Sequence, residues 1–458
     1  MVSLQDKIAD GTAHVAVLGL GYVGLPLATA FAKAGFRVTG LEVDEDKVAS
    51  IRSGRSYIED VADADLLAHV DSGRFTATFD EEVLRSVDAI FICVPTPYDP
   101  QRTPDLSFIQ SATETIQSRL SRGQLVVLQS TTYPGTTEEV VLPILEKSGL
   151  KAGVDFFLGF SPERIDPGNQ EWTAYNTPKV VGGINGESSR LTSSLLRKMG
   201  ARVHTVSSTR AAEMTKLLEN TFRAVNIALV NEMALVAERM EIDLWEVIEA
   251  ATTKPFGFMP FYPGPGVGGH CIPVDPHYLS WKAREYDFYT KFIALAAEVN
   301  EAMPYHVVEL VTEALSRAGT PLRGADVLVL GVAFKPGVDD PRNSPAKRVV
   351  ELLLSRGARV SYHDPHVPRF QIGQDVFHRE NLVLDSVPLT DEVLSSADCV
   401  VIVTGHPDVD YGRIVARTAS VVDTCNAAAA VLEGREKILR LGSPLQVSVT
   451  DRPLGSSV

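Results

Sequence analysis

A chain of 458 residues with 43 Lys+Arg against 58 Asp+Glu, a formal charge of −15, has room for two or three domains that each bury a core. The acidic balance argues against a general nucleic-acid or membrane-surface binder and for a soluble protein with a small-molecule partner. No apolar run approaches the roughly 18–20 residues of a membrane span, and the N-terminus lacks a signal peptide's apolar core, so a cytoplasmic protein is expected.

The first predicted element is an apolar strand through Val15 and Leu18. It breaks into Gly19-Leu-Gly21-Tyr22-Val23-Gly24 and an alanine-rich helix ending at Gly35. A G-x-G-x-x-G turn between strand and helix lets the backbone approach a pyrophosphate, which then rests on the helix N-terminus. The next strand ends in Glu42, 23 residues after Gly19, where a carboxylate suits the ribose hydroxyls of NAD and repels the extra phosphate of NADP. Asp44 is the second choice for that acid. NAD is therefore the expected cofactor.

Two more apolar strands, through Cys93 and through Leu128, break into loops carrying Thr96 and Thr131. Ligands of open α/β sheets gather at such carboxyl ends, so both threonines are crevice candidates. Another strand leads into Ser161-Pro-Glu163-Arg164-Ile-Asp166, which offers Glu163 as an active-site carboxylate. From about Ser207 to Gly319 the pattern becomes helical. One long helix runs through Lys216 and Asn220, whose spacing of four puts them on one face amid apolar neighbours. A shorter helix opens near Asp243, and a later one passes through Leu295.

Between those helices lies Gly264-Pro-Gly-Val-Gly268-Gly-His270-Cys271-Ile-Pro-Val-Asp275-Pro276, whose glycines and prolines dictate a loop. Cys271 sits in its middle, beside His270 and four residues before Asp275, a setting that favours a nucleophile over an inert thiol. Cys93, Cys399 and Cys425 lie in or beside strand-like runs and read as small buried hydrophobes. With no Cys-x-x-Cys pair, neither a disulfide framework nor a zinc site is expected.

At Ala325 the chain starts over. Strand, turn, helix, Gly357, strand and acidic end at Asp364 repeat the order of residues 15–44. Ala397-Asp-Cys-Val likewise echoes Val87-Asp-Ala-Ile. The second copy lacks G-x-G-x-x-G and carries Lys335, Asp340 and Arg342 in a longer turn, which points to a nucleotide with a different head group. The tail from about Ser443 reads as weakly ordered.

The fingerprint, the Lys216/Asn220 helix, Gly268-Gly-His-Cys-Ile-Pro-Val-Asp-Pro276 and Gly331-Val-Ala-Phe-Lys-Pro-Gly337, in this order, resemble the UDP-glucose/GDP-mannose dehydrogenase family over nearly the whole chain. The resemblance implies an α/β protein of two Rossmann-like doubly wound domains joined by a long central helical segment. Residues 1–206 would bind NAD, 207–319 would form the helical dimerisation domain with the cysteine loop, and 320–458 would bind a UDP-sugar. A homodimer and a role in making surface-polysaccharide precursors go with it.

The family reaction is a four-electron oxidation of a sugar 6-hydroxyl to a carboxylate with two NAD. By resemblance Cys271 forms a thiohemiacetal and then a thioester, Lys216 and Asn220 stabilise the oxyanion and hold substrate, and Asp275 orients them or moves protons. Thr131 and Glu163 would position water and relay protons. Lys335 would reach the sugar nucleotide, and Arg342 is assigned to the cofactor side, pairing with charge near the domain interface. Some UDP-glucose members carry a second glutamate where this chain has Pro167; Asp166 is the available substitute.

The stretches around Glu163 and ahead of Cys271 look most like members that oxidise UDP-N-acetylglucosamine. Phe256, Phe258, Met259, Phe261 and Tyr262 would wall the acetamide methyl, Arg164, Asn169 or a backbone group would meet its amide, and Gly268 would lie against substrate. A 3-hydroxyacid dehydrogenase shares the Rossmann domain and a lysine/asparagine helix but has no use for Cys271 or the second α/β domain. A non-catalytic nucleotide-sugar sensor would have no need of Lys216, Asn220, Cys271 and Asp275 together.

Overall fold

Alternation along single strands decides the architecture. In β1 (His14–Leu18), Val15 and Val17 enter one apolar core while Ala16 and Leu18 enter another, so both faces of the strand are covered. The computed structural model describes residues 2–58, 60–99, 102–166, 169, 171–373 and 379–444. Pro167 and the tail beyond residue 444 lie outside them.

The chain forms two units, Met1–Asn220 with Val274–Tyr289, and Thr221–Pro273 with Thr290–Val458. In the first, β1 is followed by β2 (Arg37–Leu41), β3 (Phe75–Thr78), β4 (Ala89–Ile92), β5 (Leu125–Leu128), β6 (Phe157–Phe160), β7 (Lys179–Gly183) and β8 (Val203–Thr205). Their order is β3-β2-β1-β4-β5-β6-β7-β8, the doubly wound arrangement that reverses direction between β1 and β4. Every pairing is parallel except β6 with β7. In β4 and β5 the same alternation sends Phe91 and Val127 to one core and Ile90 and Val126 to the other.

The second unit holds β9 (Asp326–Leu330), β10 (Arg359–His363), the antiparallel pair β11 (Arg369–Ile372) and β12 (Leu382–Asp385), then β13 (Cys399–Ile402), β14 (Val421–Asp423) and β15 (Ile438–Arg440). A five-stranded parallel sheet runs β10-β9-β13-β14-β15. Val327 and Val329 face one core, Leu328 and Leu330 the other.

The 31-residue helix Thr209–Arg239 contains neither proline nor glycine and belongs partly to each unit. The helix Lys291–Arg317 carries Pro304 inside it. Within the second unit these two helices are tied by Asn300, which accepts from Asn231 Nδ2 at 2.9 Å and donates to Ala224 O at 3.2 Å. The expected short helix is Leu244–Thr252, capped by Asp243. Cys93 and Cys399 are buried as expected, whereas Cys425, just past the end of β14, is only half-buried at its residue surface. All four cysteines are thiols.

Candidate active site

At the carboxyl end of β1 the backbone turns at Gly19, whose φ of +83° is left-handed. A Cβ on Gly24 would collide with Gly19 O, while Gly21 has nothing within 4 Å of the position a Cβ would take. The turn is thus tight where strand and helix meet and open where a ligand backbone would lie. The helix Gly24–Lys33 starts from Val23 with no side chain capping its first amides. Glu42 Oε2 accepts from Leu20 N at 2.9 Å, which ties the acid to the turn, and Tyr57 donates to Leu20 O. Asp44 is instead the N-cap of Glu45–Arg52, accepting from Asp46 N and Lys47 N, so its carboxylate already has a structural task. Tyr22 is exposed beside the turn. These residues fit a dinucleotide: open glycine backbone, helix amides and a strand-end acid.

In the same unit Lys216, Asn220 and Asp275 come together. Lys216 and Asn220 lie one turn apart and are both buried. Asn220 Nδ2 donates to Asp275 Oδ2 at 2.5 Å. Burial of Asp275 raises its pKa to about 7, against the pull of the Lys216 charge and the Asn220 hydrogen bond. A carboxyl poised there can hold or release a proton near neutral pH.

Glu163 has the opposite environment. Burial works to raise its pKa, but the Lys179 ammonium, 2.8 and 2.9 Å from its two oxygens, helps bring it below the usual carboxylate range. Gln129 Nε2 and the amides of Arg164 and Ile165 also donate to it. Arg164 is engaged by Glu219 and by Pro178 O, and Asn169 Oδ1 accepts from Glu171 N and Trp172 N. In this conformation both residues hold loop structure with the groups assigned to an acetamide. Thr131 is half-buried just beyond β5, and the carbonyl of half-buried Thr96 accepts from Tyr278 OH.

Cys271 belongs to the second unit, half-buried in an irregular loop. Its neighbour His270 places Nε2 3.0 Å from Asp340 Oδ2. Arg342 sits bidentate on the same Asp340, through Nε at 2.9 Å and Nη2 at 2.8 Å, with its own amide also donating. Lys335 is half-buried in the turn after β9. A Cβ on Gly268 would lie 2.9 Å from both Asn343 O and Phe334 Cβ, so this glycine admits the neighbouring turn. Tyr262 stacks on Trp245 at 5.8 Å, and Phe261 meets Phe222 edge-on. Phe256, Phe258 and Met259 are exposed. The nearby ligand-like group of His366, His406 and Asp408 is not an open metal set: His406 Nδ1 accepts from Gly337 N and Nε2 meets Asp364.

Family models for the UDP-glucose/GDP-mannose dehydrogenase family match three segments: the NAD-binding domain over residues 13–200, the central domain over 210–302 and the UDP-binding domain over 328–430. The chain belongs to the UDP-glucose/GDP-mannose dehydrogenase family. It is an NAD-dependent UDP-sugar dehydrogenase. It is 39% identical over 376 residues to the UDP-N-acetyl-D-glucosamine 6-dehydrogenase of Pseudomonas aeruginosa, covering 82% of this chain and 87% of that one. It is 38% identical over 397 residues to the UDP-N-acetyl-D-mannosamine dehydrogenase of Pyrococcus horikoshii, covering 86% and 90%. A solved structure of a UDP-D-ManNAc dehydrogenase from Pyrococcus horikoshii superposes with a TM-score of 0.84 at 35% identity, over 94% of this chain and 99% of that one.

Sequence reasoning about this dehydrogenase missed Lys179, Gln129 and Glu213. Lys179 opens β7 and is 1% exposed, an unusual position for a lysine that only its partner Glu163 explains. Glu213 is also fully buried and accepts from Gly135 N, Thr137 N and Thr137 Oγ1. A charged residue inside an apolar strand or helix face was the available signal for Lys179 and Glu213; Gln129, uncharged, gave none.

Proposed function

We propose that this dehydrogenase oxidises the 6-hydroxyl of a UDP-sugar, UDP-N-acetylglucosamine above all, to the carboxylate through a thioester on Cys271. The observation that carries the reading is a half-exposed thiol in a glycine–proline loop, four residues before a buried carboxyl raised to about pH 7. NAD, held by Gly19, Gly21, Tyr22, Val23, Gly24 and Glu42 with Thr96 and Arg342 assigned to the same cofactor, supplies the hydride acceptor in both oxidations. The Cys271 thiol adds to the intermediate aldehyde, and water later cleaves the thioester to carboxylate and thiol. Overall, one alcohol and one water give one carboxylate, two hydrides transferred to two NAD, and three protons.

Lys216 presents an ammonium to the oxyanion, and Asn220 fixes Asp275, which exchanges protons. Glu163, held ionised by Lys179, orients water with Thr131. Arg164, Tyr262, Gly268 and Lys335 contact the sugar nucleotide. Residues 1–206, 207–319 and 320–458 then serve as the NAD-binding, helical dimerisation and UDP-sugar-binding parts. Exposed Leu218, Phe222, Leu229, Met233 and Val236 form an apolar stripe on the long helix, which supports a homodimer. No helix among the described residues is long and apolar enough to cross a membrane, and we assign the enzyme to the cytoplasm and to the supply of surface-polysaccharide precursors.

The likeness to an N-acetylglucosamine enzyme and the exposed aromatic stretch Phe256–Tyr262 support the acetamide sugar. The comparable likeness to an N-acetylmannosamine enzyme keeps the manno epimer as the second reading. Two NADH per sugar, no uronate from Cys271→Ala, and at least about tenfold higher kcat/KM for UDP-N-acetylglucosamine than for UDP-glucose are expected. Uronate at near wild-type rate from Cys271→Ala refutes the thioester; equal activity on UDP-glucose refutes the acetamide site.

A further inference from the structure

The turn after β9 and the cysteine loop are fitted to each other. Asn343 Nδ2 donates to Gly269 O at 3.1 Å, and Gly268 packs where any side chain would meet Asn343 and Phe334. Gly269 has φ +90°, and its missing Cβ would lie 3.0 Å from the Phe334 ring. The His270 ring lies 5.9 Å from that of Phe334, and its Nε2 is 3.0 Å from Asp340 Oδ2, within ion-pair distance. Asp340 is in turn braced: its carboxylate accepts three bonds from Arg342, its backbone carbonyl accepts from Phe334 N at 2.9 Å, and it is only 6% exposed. A group so constrained can set the position of the residue it holds, and that residue adjoins the thiol.

We propose that Asp340 is a positioning residue for Cys271, acting through His270. Resting on the reading of Cys271 as the nucleophile, it locks the cysteine loop to the turn that carries Lys335 and Arg342. The step it serves is thiol addition to the aldehyde: an S–C bond forms, the C=O π bond breaks, and the thiol proton ends on the carbinol oxygen. No electrons are transferred until the hydride leaves. The first oxidation, alcohol to aldehyde, needs no thiol. A displaced thiol therefore slows capture of the aldehyde without slowing its formation, whereas a general structural defect slows both.

The test measures product partition in His270→Ala, Asp340→Ala and His270→Gln, with a soluble hydrazide present to trap escaping aldehyde as a hydrazone quantified by mass. His270→Ala leaves the Asp340–Arg342 pair in place, so it reports on the anchor if Asp340→Ala proves unstable. Both alanine variants are expected to release far more hydrazone per uronate than wild type, on the order of 10²-fold for an ångström of displacement. The first-step rate of His270→Ala should stay near wild type, because Arg342 keeps its Asp340 partner in that variant. His270→Gln, whose side-chain amide can bring an N–H to Asp340 in place of the ring contact, should restore most of the wild-type partition. Wild-type partition in His270→Ala, or no rescue by His270→Gln, overturns the role. Cys271→Ala run beside them separates the two ideas: uronate from that variant sinks the thioester reading itself, while hydrazone alone from it, with unaltered partition in the others, sinks only the positioning.

Discussion

Residues 14–44 and 326–364 are built on one plan and end in different chemistry. Each strand starts pinned by the aspartate just ahead of a neighbouring strand in its sheet, β4 or β13: His14 N donates to Asp88 and Asp326 N to Asp398, both at 2.8 Å. Each turns at a left-handed glycine, Gly19 at φ +83° and Gly331 at φ +77°. Each following strand delivers an acid back to the turn. In the first copy the helix starts five residues after Gly19, so close that Gly24 must lack a side chain. In the second it starts only at Pro345, leaving a turn long enough to carry Lys335, Asp340, Arg342 and Asn343.

The acids differ as much as the turns. Asp364 accepts five hydrogen bonds, from the amides of Val332, Ala333, His366 and Val367 and from His406 Nε2. A carboxylate has about four lone-pair sites, so none remains for a ribose. Glu42 accepts from the amides of Leu20, Val43 and Asp44 among the described residues, which leaves it room for a hydroxyl. One acid has become a strut and the other keeps capacity for a ligand.

The largest expected effect tests the strut. Asp364→Ala strands five buried donors, and breaking such a buried cluster costs about 3–5 kcal/mol. Urea unfolding should show that loss while NAD affinity of the folded variant stays unchanged. A destabilisation below about 1 kcal/mol, or weakened NAD binding, would erase the distinction between the two acids.

Much of this plan was legible in the chain. Period-two alternation marked the strands, glycine spacing the turns, and the order of strand, turn, helix and acid exposed the repeat. The donors on each acid were not legible, because backbone amides carry no side-chain signature and His406 is 42 residues from Asp364 in sequence. Lys179 was hidden for the same reason: its partner Glu163 meets it only once β6 and β7 pair antiparallel. The Asp340–His270 contact joins residues 70 apart.

The next effect contrasts Asp364 with Asp275. Burial opposes ionisation at Asp364, yet His406 and the backbone amides hold its carboxyl below the ordinary value, so its contribution is present above about pH 4 and is lost as pH falls. Asp275 has the reverse sign. Raised by burial from 3.8 to about 7, it favours the folded state fully below pH 3.8 and loses that contribution as pH rises through 7, by up to about 4 kcal/mol. Asp275→Asn should therefore gain stability relative to wild type between pH 5 and 8, and its kcat profile should lose a titration near 7. A stability difference independent of pH would show that Asp275 does not carry the shift.

The smallest effect asks whether Glu42 is more than another strut. If the carboxylate only anchors Leu20 N, Glu42→Gln, which keeps an oxygen for that amide, should alter NAD and NADP use in parallel. If it also meets ribose hydroxyls, the neutral amide loses part of the charge-assisted bond and no longer repels a 2′-phosphate. The expected result is about a tenfold fall in kcat/KM for NAD, equivalent to about 1.4 kcal/mol, with a smaller fall or a rise for NADP. Thermal stability should fall modestly with either cofactor, since the single amide oxygen can serve Leu20 N or the Val43 and Asp44 amides but not both. Equal losses with both cofactors would make Glu42 the counterpart of Asp364 in function as well as in position, and the preference for NAD would then have to reside in other residues of the turn.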